Sequence, residues 1–555
     1  MKAVLSVRRI IFIVLIVSGL FLRLWNLSSV PSSLFGDEID VGLQAYSILT
    51  TNRDYMGNFL PVMFRSFAEY RLPMQLYMTV PFIKMFGLNE LGVRGASVLM
   101  GFLSILGMFL LTKEFFGKRV SVIATLLLLF SPWHFMFSRQ ANDTGFLIPF
   151  TLFGTLFFIR GLKNYKYLLL SSFIWGLGIY SYATYSLFAP FFLIALTLVF
   201  LEKLRKNGIV KLFLAVIVGL IIISPYIHET FKGSTTKRVS DIGLITPDEL
   251  EARVVQGRRW SGGVWSKLFY NKYTIVASEV FNNYTKAFSP NFLFASGDTN
   301  PRHNVEGSGQ LHYFEVFTFA IGILIVLSGL KKKPKKMYLV LLIWLLLAPI
   351  PSSLTKDGGT HAARLILMLP PITIFSALGI HTLFMTKSII GKSVTALIVL
   401  LILFSVSRYM HNLFIVWPNE SWRYWHYGFE ETIKFVKSVD TNYEKIYFNN
   451  TYEPMLPRFL FYYEYDMKDF QKQFEGDVHI VNLEEGFDGF LLGDKYYFGD
   501  LKKPIERLAK PGNLVIASGE KDVTNPGIFD NPGLDLLHVT TSPKMDSIFY
   551  VFSGS

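Results

Sequence analysis

The stretch "RRIIFIVLIVSGLFLRLWNLSSVPSSLFGDEID", residues 8–40, runs from an apolar segment into two adjacent acids. Residues 8–27 are long enough to cross a bilayer as one helix. Asp37 and Glu38 then fall in an external loop at the membrane edge. Paired carboxylates there cost solvation energy unless they accept a proton or hold a cation. A short basic region precedes the run, and no small-residue cleavage site comes before "LRLWNL". The segment therefore reads as an uncleaved first helix.

Of the 555 residues, 51% are hydrophobic and 17% charged, against about 25% charged in soluble domains. The aromatics, 52 Phe and 27 Tyr, suit lipid-facing and interfacial positions. Further apolar runs recur near 92–112, 119–136, 144–160, 167–181, 185–201, 211–227, 313–330, 337–350, 364–385 and 392–409. With the first, they predict eleven spans and an α-helical polytopic membrane protein. Lys and Arg number 20 in the segments that would lie inside if the N-terminus is cytoplasmic, and 2 in the short outer loops. This asymmetry sets the orientation. It also shows that the net charge of +13 is loop charge, not a nucleic-acid footprint. Cysteine is absent, which excludes disulfides, thiolate metal sites and a Cys nucleophile.

The segment 72–88, with Pro73 and Pro81, is read as an amphipathic helix on the outer surface, because a span there would place "KKKPKK" (331–336) outside. The segment 38–51 is a second candidate. The expected organisation is a transmembrane module over 1–410, with outer loops 28–91 and 228–312, and a small extracytoplasmic α/β domain over 411–555. In that tail "EETIKFVKSV" predicts a helix, and "KIYFNN", "VHIVNL", "NLVIAS" and "SIFYVF" predict strands. The expected location is the plasma (inner) membrane, multi-pass, with a cytoplasmic N-terminus.

Ionisable residues gather at the outer side. Arg23, Arg94, Arg139, Asp143, Glu315 and Arg364 lie near predicted outer span ends. Asp37, Glu38, Glu69, Asp298, Arg302, His303 and His361 lie in outer loops. Polar groups at that depth mark substrate paths, although arginines also snorkel to headgroups. "RSFAEYRLP" (65–73) offers Glu69, Tyr70 and Arg71 ahead of a Pro-initiated helix. "SPWHFMFSRQANDTG" (131–145) puts Arg139, Asn142 and Asp143 in one turn, where Arg139 is also spaced to pair with Asp143. In "NFLFASGDTNPRHNVEGSGQLHYFE" (291–315), glycines suit close backbone approach to a ligand, and Arg302 and His303 are donors for a phosphate or sugar. His361 and Arg364 open a helix in "THAAR", a good anion site.

Residues 35–87 resemble the first external loop of prokaryotic GT-C glycosyltransferases, of the protein O-mannosyltransferase-like and lipid A aminoarabinose transferase-like kind. "SRQAND", "GDTNPRHN" and "THAAR" resemble further outer-loop motifs of that bacterial branch. The resemblance spans about residues 5–410, and the absence of a WWD motif speaks against the oligosaccharyltransferase branch. It implies a GT-C-like fold, a polyprenyl-phosphate sugar donor, a membrane-lipid setting, and an acceptor (protein, lipid or glycan) met at the outer face. It further implies Asp37 as general base, Glu38 as an orienting residue and Asp143 as a second acid. Asp298 joins the substrate-binding set. Glu69 would share a divalent cation with His303, although Tyr70 stands where those enzymes carry a basic neighbour.

The expected chemistry is inverting transfer of one sugar from a polyprenyl phosphate to an acceptor hydroxyl. Arg139, Arg302 and Arg364 would meet the leaving phosphate. The rival is a transporter or flippase of lipid-linked sugars. An alternating-access pathway needs polar groups at the midplane and on the cytoplasmic side, where this chain has few.

Overall fold

Helices lie on all eleven predicted spans in a computed structural model of the chain. It describes residues 2–67, 70–206, 208–232, 243–331, 335–450, 452–473, 481–484, 487–501 and 504–555. The helices that matter below are α1 (Lys2–Leu24), α2 (Gly36–Thr51), α3 (Pro73–Phe86), α4 (Glu90–Phe130), α5 (Pro132–Phe137), α6 (Leu147–Gly161), α7 (Lys166–Gly178), α8 (Ala183–Arg205) and α9 (Ile209–Phe231). Among the described residues, seven helices are long and apolar enough to cross a membrane. One of them, α4, joins two predicted spans across Gly117, whose φ of 81° is open to glycine and strained for other residues. Both expected amphipathic segments form helices, as α2 and α3.

Contacts divide the chain into two units. The first comprises Met1–Trp25, Leu72–Gln75 and Ser97–Leu413; the second comprises Asn26–Arg71, Leu76–Ala96 and Phe414–Ser555. The second unit takes up the chain again at Phe414. Most of residues 26–96 group with the tail and not with the spans.

In the first unit small residues let helices approach closely, as apolar surfaces immersed in lipid require. A Cβ at Gly322 or Gly379 would meet the backbone of Phe375 or Thr318 at 2.0–2.1 Å, so Glu315–Gly329 and Leu369–Met385 pack backbone to backbone. The segment 228–312, expected as a polar outer loop, contains the helices Pro247–Ser261, Gly263–Phe269 and Lys272–Lys286. Thr246 caps the first by accepting from Glu249 N, a Thr-Pro-Asp-Glu start signal legible in the sequence.

In the second unit the tail forms a seven-stranded mixed sheet. Its strands are β3 (Lys445–Asn449), β4 (Val481–Glu484), β5 (Phe487–Leu492), β6 (Tyr496–Leu501), β7 (Asn513–Ser518), β8 (Leu534–Thr541) and β9 (Ser547–Gly554), in the order β4-β5-β6-β3-β7-β9-β8. A short ribbon between α2 and α3 supplies β1 (Phe64–Arg65) and β2 (Tyr70–Arg71). The central β3 runs parallel to β6 and β7. Tyr447 pairs in register with Tyr497, and their rings stack with centroids 4.7 Å apart. The helix Phe429–Val439 matches the predicted one.

The same unit carries α2. Gly42 lies so close to the helix Met455–Tyr462 that a Cβ there would sit 2.4 Å from Phe461. Gln471 Nε2 donates to Ser47 Oγ at 2.9 Å, Thr51 Oγ1 at 3.0 Å and the Asp54 carbonyl at 2.8 Å. Phe35 meets Trp425 edge to face at 5.2 Å. The tail therefore sets the position of the helix that begins with the acidic pair.

Candidate active site

Each acid of "FGDEID" has a different environment because a helix turns 100° per residue. All three lie in the first turn or so of α2, where unpaired backbone N–H groups favour negative charge. Phe35 at the N-cap offers no side-chain cap, so that favourable field is left to the acids themselves.

Glu38 is fully buried. Arg94 Nε donates to its Oε1 at 3.1 Å and Nη2 to its Oε2 at 2.9 Å. Arg94, also fully buried, gives its other donors to the carbonyls of Leu27 (2.8 Å), Pro31 (3.2 Å) and Ser33 (2.6 Å). All five N–H groups are thus bonded. This bidentate pair orients the start of α2 and leaves Glu38 no free face for substrate.

Asp40 lies one turn on. Arg71 Nη1 donates to Asp40 Oδ2 at 3.0 Å and to the Asp37 carbonyl at 3.0 Å. Tyr55 hydroxyl donates to Asp40 Oδ1 at 2.6 Å and accepts from Phe67 N at 2.9 Å. Burial pushes the Asp40 carboxyl above its ordinary range, with the Arg71 charge opposing. Arg71 therefore clamps the helix start from the β1–β2 ribbon. Tyr70 is half-buried beside it on β2. Glu69 lies outside the described residues.

Asp37 contrasts with both. It is exposed, and among the described residues no donor bonds its carboxylate. A carboxylate at a helix start, held by a backbone fixed through Arg71 and Arg94 yet with unengaged oxygens, is poised to take a proton from an incoming group.

The other unit holds the remaining predicted residues. Arg139 is buried, and its Nη1 donates to the carbonyls of Leu22 and Arg23, both at 2.8 Å. It anchors the end of α1. Arg23 supports the same junction by donating to His134 Nδ1 at 3.0 Å. Asn142 caps the short helix Asp143–Phe146 by accepting from Thr144 N and Oγ1. Asp143, half-buried, begins that helix.

Asp298, His303 and His361 come together, with ligand-type atoms all within 4.8 Å of one another. His303 Nδ1 donates to Asp298 Oδ2 at 2.7 Å, and Ala362 N donates to the same oxygen at 2.7 Å. Asp298 Oδ1 accepts from Asn300 N at 2.9 Å. Burial works to raise the Asp298 carboxyl, but the His303 hydrogen bond and charge hold it below its usual range. Burial, then the charges of His303 and Arg364, push His361 down to about 3. His361 is thus a neutral imidazole, and its Nδ1 is buried without a hydrogen bond.

Arg302 is half-buried, with its backbone N bonded to Asn300 Oδ1. Arg364 Nη1 donates to Thr355 Oγ1 at 2.7 Å and to the Lys356 carbonyl at 2.9 Å. Sequence reasoning missed Arg94, Asp40 and Tyr55 as parts of the site. Asp40 had a signal, its i, i+3 spacing from Asp37. Arg94 stood out only as a charge at a span end.

The multi-span helical unit and the α/β tail give the chain the fold that the GT-C resemblance implies. Residues 71–228 match the family model described as Dolichyl-phosphate-mannose-protein mannosyltransferase. Along nearly its whole length the chain has the fold of ArnT from Cupriavidus metallidurans. The structure of that protein bound to undecaprenyl phosphate superposes with a TM-score of 0.52 at 14% identity, covering 99% of this chain and 98% of the other. Its apo structure gives 0.53 at 13% identity, with the same coverage. No curated protein sequence matches the chain.

Proposed function

We propose that the protein is a membrane glycosyltransferase that moves a sugar from a polyprenyl-phosphate donor to an acceptor hydroxyl at the extracytoplasmic face. The observation that carries this reading is Asp37, an unengaged carboxylate on a rigidly held helix start. Support comes from the shared fold with ArnT, a protein solved with undecaprenyl phosphate bound. Asp37 takes the acceptor proton as the acceptor oxygen attacks the anomeric carbon. The bond from that carbon to the phosphate oxygen breaks, and the lipid phosphate leaves as a monoester. One displacement inverts the anomeric centre. Within the first unit, Arg302 and Arg364 carry positive charge of the kind a phosphate would meet. Arg139 contributes through the α1 junction.

Asp298, His303 and His361 suit a divalent cation, since the set joins one carboxylate with two imidazoles and leaves an orphaned ring nitrogen. In this reading Asp298 accompanies His303 as a ligand. A bound cation would supply fixed positive charge to the loop. Protein purified without chelator should carry about one divalent ion per chain. His361→Ala should lower the affinity at least about tenfold. Equal metal content in wild type and variant, measured by plasma mass spectrometry, would remove the ion from the account.

The envelope glycans of a strain lacking the gene test the function as a whole. Mass spectrometry should find a glycan short of one sugar, restored by the wild-type chain and not by Asp37→Asn. A complete glycan profile in the deletion strain counts against transfer.

A further inference from the structure

An apolar cavity lies apart from the acidic pair in sequence and chemistry. It is a groove of about 390 Å³ among α6, α7, α8 and α9, within the range of ligand pockets. Its wall contains no charged or amide side chain; the polar lining is hydroxyl and indole, and Ser171 is already bonded to the Gly154 carbonyl at 2.8 Å. On α9 the wall runs from Leu212 to Ile223. That is about 17 Å at 1.5 Å per residue, close to the roughly 15 Å of hydrocarbon in one leaflet.

One end of the groove is strongly basic. Leu168, Leu204 and Leu212 line it. Lys163, Lys166, Lys203, Arg205, Lys206 and Lys211 lie within a few residues of them in sequence, and all six are exposed. Among the described residues none has a carboxylate partner; Lys211 rests on the Tyr165 ring at 5.0 Å. This is the end that the Lys and Arg distribution assigns to the cytoplasm. A basic mouth on an apolar groove between transmembrane helices suits an anionic lipid headgroup.

We infer that this groove is a binding site for one acyl chain of an anionic glycerophospholipid, whose headgroup phosphate is held by the basic mouth. The occupant is a bilayer lipid and not the polyprenyl donor, because the groove matches one leaflet in length. The site is independent of the transfer chemistry.

Gly219 provides a clean plug. It lines the groove, and a Cβ built there meets nothing nearer than Ser172 Cβ at 3.9 Å. Gly219→Leu should fill the space without moving backbone and should raise helix propensity. The full chain is incorporated into vesicles of equal phosphatidylglycerol and phosphatidylcholine, extracted in mild detergent, and its retained lipid counted by native mass spectrometry. Wild type should keep phosphatidylglycerol, and Gly219→Leu should lose it while melting at the same or a higher temperature. Lys203→Glu/Lys211→Glu, which changes only exposed side chains, should lower phosphatidylglycerol retention by about tenfold or more. Equal retention in wild type and Gly219→Leu, or retention blind to headgroup charge, overturns the site. Displacement of the lipid by added polyprenyl phosphate overturns the choice of occupant.

Discussion

Asp37→Asn should abolish sugar transfer while leaving the protein folded. Loss of a general base typically costs about 10²–10⁴-fold in rate. The prediction is sharp because no described residue depends on the Asp37 carboxylate. Its side chain is exposed, and its structural role is carried by its backbone carbonyl, which accepts from Arg71. Asparagine keeps that carbonyl and the side-chain size and removes only basicity. Expression, detergent melting temperature and donor KM should therefore stay near wild type while kcat falls. A variant with full turnover would move the base elsewhere, and Asp40, whose carboxyl is already committed to Arg71 and Tyr55, would be a poor substitute.

The second large effect belongs to the neighbouring acid and is structural. Glu38→Gln removes one charge from a pair buried without solvent contact. Breaking such a pair by removing one partner typically costs about 3–5 kcal/mol. Arg94→Leu should cost at least as much, because the carbonyls of Leu27, Pro31 and Ser33 also lose their donor. Replacing both residues by leucine should recover only part of the loss, since those three carbonyls stay unpaired. Thermal unfolding in detergent reads the result. Adjacent acids thus divide in kind: Asp37→Asn should lose activity at constant stability, and Glu38→Gln should lose stability first. If both behave alike, the division of roles fails.

The apolar helices were legible because long apolar runs are strong, local signals. The α4 junction at Gly117 was less so, since nothing local says whether two spans continue as one helix. In the tail, β3, β7 and β9 stood out as apolar or aromatic runs. The strands "FDGFLL", "YYFGDL" and "LDLLHVTT" did not, because internal glycine and acidic residues break their alternation. Thr246 and Asn271 cap two of the helices in 247–286, within a stretch whose polarity reads as loop.

The candidate site shows the same divide. Asp37, His303 and His361 were picked out in the sequence as loop residues with chemical potential. The partners that define their states were not, for those bonds span 31 residues for Arg71 and Asp40 and 56 for Arg94 and Glu38. Packing of α2 on Met455–Tyr462 was beyond sequence reasoning too, since it depends on a glycine facing Phe461. It follows that the tail holds the helix that carries Asp37.

The most direct measurement follows the donor bond itself. Purified wild-type protein in vesicles is given a polyprenyl-phosphate sugar labelled in both sugar and phosphate, alongside Asp37→Asn. The account predicts that wild type separates the two labels, releasing polyprenyl phosphate as the sugar reaches the acceptor, and that the variant leaves them joined. Movement of the intact donor across the bilayer with no separation of labels would contradict it and make the protein a carrier.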